Sequence, residues 1–98
     1  MPLIDFAAVN RAAQPRLQCL LPHWLPQGRQ QGSEWVALNP LRDDSRPGSF
    51  KVNLRTGRWA DFASGDKGGD AISLLAYLRG LSQAEAARLL ARELGVRP

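Results

Sequence analysis

The sequence predicts an α+β domain: a small three-stranded antiparallel sheet, preceded by an N-terminal helical segment and followed by two C-terminal helices. Three observations lead to this reading. Between Ile4 and Leu21 the apolar residues Phe6, Val9, Ala13, Leu17 and Leu20 recur at spacings of three and four, the period of a helix with one buried face. Between Ser49 and Leu54 the period changes to two, with Phe50, Val52 and Leu54 on one face and Lys51, Asn53 and Arg55 on the other. After Asp70 the helical period returns twice, each time bracketed by start and stop residues.

The elements follow in order. Asp5 suits an N-cap or first-turn acid for the leading helix. Pro15 removes an amide donor and disfavours the helical region for Gln14, so a kink or two short helices are expected, and Pro22 and Pro26 should end the segment. Residues 27–33 (QGRQQGS) form a polar loop. Strands are expected over Glu34–Leu38, Ser49–Leu54 and Arg58–Phe62, with Arg55-Thr56-Gly57-Arg58 as a tight hairpin turn in which Gly57 supplies positive φ. Asn39 to Gly48 is a long loop. Asp70 caps the next helix, whose stripe is Ala71, Leu74, Leu75 and Leu78, and Gly80 stops it. Ser82-x-x-Glu85 is a capping box, with Leu81 as hydrophobic staple, for a last helix with stripe Ala86, Leu90 and Leu94. The expected organisation is one domain over 1–98, with the helical segment at 1–26, the sheet at 34–64 and the helical pair at 70–95.

Ninety-eight residues with 44% hydrophobic content are enough for one modest core without disulfides or metal. A net charge of +4 and a pI near 10.2 point to a polyanionic partner, most often nucleic acid. One cysteine cannot form an internal disulfide, and there is neither a signal-peptide pattern nor an apolar run of membrane-spanning length. The expected location is cytoplasmic, with no membrane partner.

Four chemistries compete with plain structural roles for these residues. Cys19 and His23 share a helical spacing but offer two metal ligands where a structural zinc needs four; they read as a small buried thiol and a loop residue beside a helix end. The basic residues from Arg42 to Lys67 suit single-stranded nucleic acid better. Arg46, Lys51, Asn53, Arg55, Arg58 and Lys67 supply cations and hydrogen bonds, and Trp59 supplies a ring to stack a base. Against this stands a solvated sheet face with Trp35 and Trp59 packed into the core. The loop Gly65-Asp66-Lys67-Gly68-Gly69-Asp70 runs into a helix start and can be read as a phosphate site. It is not a P-loop, and Asp66 and Asp70 oppose an anion, so a tight turn is the better reading. Asp43, Asp44, Asp61, Asp66 and Asp70 suit a divalent cation only if they converge, and no complete active site is expected.

The order of motifs from Trp35 to Val96 resembles the N-terminal zinc-ribbon domain of bacterial and phage DNA primases. The residues that carry the resemblance are the Pro47-Gly48-Ser49-Phe50 strand start, the hairpin, Gly68-Gly69-Asp70-Ala71-Ile72 and the Gly80-Leu81-Ser82 link. The family's four zinc ligands, Cys, His, Cys and Cys, fall at Asn39, Arg42, Asp61 and Ser64 here. The resemblance therefore implies a degenerate, metal-free form without cofactor, its knuckles joined by polar contacts such as an Arg42–Asp61 pair. It also implies a non-catalytic module that engages DNA, as single strands, within a DNA primase or primase-helicase of phage or mobile-element replication. The expected protein partners are a replicative helicase or a primase catalytic domain. Two other classes stay open: a protein-interaction module that has lost DNA binding, and a small metal-dependent nuclease using the loop aspartates.

Overall fold

The computed structural model describes residues 3–41 and 49–98. Helix α1, Phe6–Ala13, begins where the Asp5 carboxylate accepts from the Ala8 amide at 3.0 Å. Pro15 falls in a single 3₁₀ turn, Gln14–Arg16, and the chain resumes as α2, Leu17–Trp24. The expected break at Pro15 is thus present, but Pro22 lies inside α2 rather than ending it. Its ring removes the bond to the Gln18 carbonyl, yet both residues are exposed and water can serve that oxygen. Burial of Leu21 and Trp24 on the opposite side keeps the last turn helical.

The sheet departs from expectation in strand number. It has five antiparallel strands among the described residues, in sequential order: β1 Arg29–Gln31, β2 Glu34–Ala37, β3 Phe50–Asn53, β4 Trp59–Asp61 and β5 Lys67–Gly68. The three central strands are those expected, each a residue or two shorter. The two edge strands lie in segments read as loops. Both are short and polar, so they have no apolar alternation to reveal them; backbone pairing with a neighbour defines them instead. Gly32, with φ of 60°, opens the two-residue Gly32–Ser33 turn between β1 and β2. The β3–β4 connection is wider than a tight turn. Asn53 organises it by accepting from the amides of Arg55 and Thr56 at 2.8 and 3.1 Å, and Gly57, with φ of 83°, donates to the Asn53 carbonyl.

Helices α3, Ala71–Arg79, and α4, Gln83–Leu94, are bounded as the sequence predicts. Asp70 and Ser82 each close a capping box, and Gly80 and Gly95 adopt left-handed C-caps. These helices pack on each other and on α1, and the inner sheet face covers the assembly. Phe50 and Val52 from β3, Leu17 and Leu21 from α2, Leu74 and Leu75 from α3 and Leu90 from α4 are all buried in one cluster. Two smaller expectations are corrected: Cys19 is exposed rather than buried, and His23 lies in the last turn of α2 rather than in a loop.

Gly68 shows how closely the sheet approaches α3. It pairs with Trp59 across β4–β5, and the Trp59 indole and Ser73 hydroxyl occupy the space where a Cβ would stand. Those two groups are hydrogen-bonded at 3.0 Å, so neither can move without losing a partner. Gly68→Ala is expected to cost about 1–3 kcal/mol through overpacking. Thermal unfolding followed by circular dichroism should show a midpoint lower by at least roughly 4 °C; an unchanged midpoint would contradict this packing.

Candidate nucleic-acid interface

Residues paired directly across a sheet present their side chains to the same side. The register therefore sets Arg29, Val36, Lys51, Ala60 and Lys67 in one row on the outer face. At about 4.8 Å between strands, this row spans roughly 19 Å, with a cation at each end and one in the middle. Alternation along β4 adds Arg58 and Phe62 to the same side and sends Trp59 and Asp61 inward. Phe62 is 71% exposed, and the Lys51 ammonium stands 5.7 Å from the centre of its ring, within cation–π range. Glu34 is the acid on this face, paired with Asn53 at the corner away from Phe62. Arg29, Lys51, Arg58 and Lys67 form no ion pair within the described residues. Arg58, Ala60, Lys67 and Gly69 border a shallow depression of about 550 Å³.

The candidates from the sequence divide accordingly. Lys51, Arg58 and Lys67 come together on the outer face. Arg55 is exposed in the β3–β4 connection beside it. Asn53 also points outward, but its carbonyl oxygen is occupied by the turn amides. Arg46 lies outside the described residues. Trp59 takes the core position weighed against base stacking: it is 5% exposed, its indole donates to Ser73, and its ring lies 5.8 Å from Phe50 and 4.7 Å from Tyr77. Trp35 likewise turns inward and donates to the Leu25 carbonyl at 3.0 Å. On this face the ring displayed to solvent is Phe62, a residue the sequence does not single out. Counting the alternation on from Trp59 would have found it. Arg29 was missed because its strand was read as loop.

Behind this face lies a buried polar cluster. Asn39 and Asp61 are 1% and 0% exposed. The Asn39 amide nitrogen donates to Asp61 Oδ2 at 2.7 Å and to the Tyr77 hydroxyl at 2.9 Å, and its Oδ1 accepts from the Leu41 amide. The Tyr77 hydroxyl in turn donates to Asp66 Oδ2 at 2.7 Å. Asp61 Oδ1 accepts from the amides of Ala63 and Ser64, which shapes the β4–β5 turn. Burial, reinforced by the hydrogen bond to Asp66, raises the Tyr77 phenol above its ordinary value of 10.0.

The loop from Gly65 to Asp70, read as a turn before a capped helix, contains β5, and the Asp70 side chain fills the helix start by accepting from Ser73 at 2.8 Å. No group of three His, Cys, Asp or Glu side chains converges among the described residues, and Asp43 and Asp44 lie outside them. No described helix is long and apolar enough to cross a membrane.

A crystal structure of the Aquifex aeolicus primase, comprising its zinc-binding and RNA polymerase domains, is similar to this chain at 25% identity and a TM-score of 0.80. The match covers 99% of this chain and 23% of that one, so the chain spans less than a quarter of that protein. The fold is therefore primase-domain-like. No family model matches the sequence, and no curated protein does. Zinc does not fit the residues described here. The described knuckle positions carry Asn39, Asp61 and Ser64 where a structural zinc takes Cys or His, and the Asn39 amide nitrogen, which donates to two oxygens, has no lone pair to offer a cation. Arg42, expected opposite Asp61, lies outside the described residues.

Removing the Asp61 carboxylate would strand the buried Asn39 amide. Asp61→Ala is expected to destabilise the fold by about 3 kcal/mol and Tyr77→Phe by about 1 kcal/mol in urea unfolding, and equal, negligible changes would refute a structural role for the cluster. The pH response follows from the raised phenol. Its stabilising contribution is complete below the unfolded value of 10.0 and is lost as pH rises through the higher folded value. The unmodified chain should lose more stability above pH 10 than Tyr77→Phe does, as read from unfolding midpoints over an alkaline series.

Proposed function

We propose that this chain is a metal-free nucleic-acid-binding domain of a primase or primase-helicase type replication protein, engaging single-stranded DNA through the outer sheet face. The observation that supports this most is the exposed Phe62 ring beside Lys51, on a face whose other cations form no ion pair among the described residues. An exposed ring stacks any base, a gain of about 1–3 kcal/mol each, while flanking cations track the phosphates. Lys51, whose ammonium lies 5.7 Å from the ring centre, would offer a cation to the phosphate of a base stacked on Phe62. The similarity to a primase structure supports the setting, and the polar cluster supports a fold that stands without zinc. In this reading the chain supplies template contact and no chemistry of its own.

Binding to a short single-stranded oligonucleotide, measured by fluorescence anisotropy in a metal-analysed preparation, tests the proposal. With about four phosphates neutralised, tripling the salt concentration should weaken binding roughly twentyfold. Phe62→Ala should weaken it about tenfold without loss of fold, since the ring is exposed. Absence of binding at low salt would overturn the proposal and favour a protein-interaction module.

A further inference from the structure

A second basic surface lies at the other end of the molecule's sheet. Between the α1–α2 junction and the tip of the β1–β2 hairpin is an open cleft of about 650 Å³. Its walls carry two guanidinium groups, Arg11 and Arg55, and three side-chain amides, Gln14, Gln18 and Gln30. Among the described residues, no carboxylate lines it. Neither arginine forms an ion pair within the described residues, and Arg11 is exposed. Gln14 donates to the Arg55 carbonyl, which ties the helical layer to the β3–β4 connection and holds the two arginines on a common frame.

We infer that this cleft holds the phosphodiester backbone of the same single strand as it leaves the sheet face, an inference that rests on the function proposed above. Guanidinium groups match phosphate oxygens with parallel N–H donors, and the amides both donate and accept, as sugar and base edges require. Arg55 makes the two surfaces continuous: it lines the cleft and belongs to the connection that follows Lys51 and precedes Arg58. A strand that leaves the basic row passes Glu34 at the Asn53 corner and then meets Arg55 and Arg11. The helical segment, which the sequence reading left without a role in binding, becomes the far wall of an extended site.

Strand length separates the two surfaces. Single-stranded oligonucleotides of about 4 and about 12 residues bracket the size range of compact single-strand sites. The unmodified chain should bind the longer one more tightly. Arg11→Gln should bind the short one equally well, lose most of the gain with length, and lower the magnitude of the salt slope for the long one by about 0.7, the value for one phosphate contact on a single strand. An unchanged melting temperature would confirm that Arg11→Gln folds. Equal binding of the long strand by Arg11→Gln and the unmodified chain overturns the cleft. Phe62→Ala, measured in parallel, reports on the sheet face: weakened binding of both strands with no effect of Arg11→Gln rejects the cleft and leaves the face. An effect of Arg11→Gln with none of Phe62→Ala rejects the face and leaves the cleft.

Discussion

The buried carboxylate of Asp61 sits where three parts of the chain must meet. Through Asn39 it reaches the end of β2, through its Oδ1 it shapes the turn into β5, and through the Asn39–Tyr77–Asp66 relay it is tied to α3. Asn39 and Asp61 have lost water on folding, and each regains partners inside the cluster. Because an unpaired buried polar group costs more than a made hydrogen bond returns, the cluster favours one arrangement of these segments over looser alternatives. In a zinc-tied module a metal would perform this joining with four strong bonds. Here side-chain hydrogen bonds and an aromatic stack share the task.

That stack is the second half of the same constraint. Phe50, Trp59 and Tyr77 lie with centroids 4.7–6.1 Å apart, so the ring whose hydroxyl anchors the relay also packs against two inward aromatics of β3 and β4. Gly68 lets the edge strand close over the Trp59 indole. With Trp59 and Asp61 held inward, alternation leaves Arg58, Ala60 and Phe62 no choice but the outer face. The exposed ring and the cations around it are thus consequences of what the core requires one residue away. A one-residue slip of β4 would bury Phe62 and Arg58 and expose Trp59 and Asp61.

Much of the fold is legible in the sequence because it is written in local signals. Capping boxes at Asp70 and Ser82, left-handed glycines at 80 and 95, and the change of period at Phe50 each involve residues within a few positions of one another. Cap and turn preferences arise from the backbone and its nearest side chains, so they survive in isolation. The edge strands were not legible, since Arg29–Gln31 and Lys67–Gly68 become strands only because β2 and β4 offer them backbone partners. Pro22 misled for a related reason: its local cost is real, but burial of Leu21 and Trp24 outweighs it.

Charge, the lack of Cys or His at positions 39, 42, 61 and 64 and the α+β order with its caps are properties of composition and short-range pattern, and the chain states them before it folds. Which aromatic meets solvent, how the polar groups at 39, 61, 66 and 77 find one another, and whether Arg11 shares a cleft with Arg55 depend on contacts between residues 5 to 44 positions apart. Those contacts are chosen by burial and pairing in three dimensions, where the register of a strand decides the side on which each residue lies. Trp59 and Phe62 show the difference most directly. Both are aromatic residues of one strand region, and only their places in the pleat assign one to the core and the other to the surface.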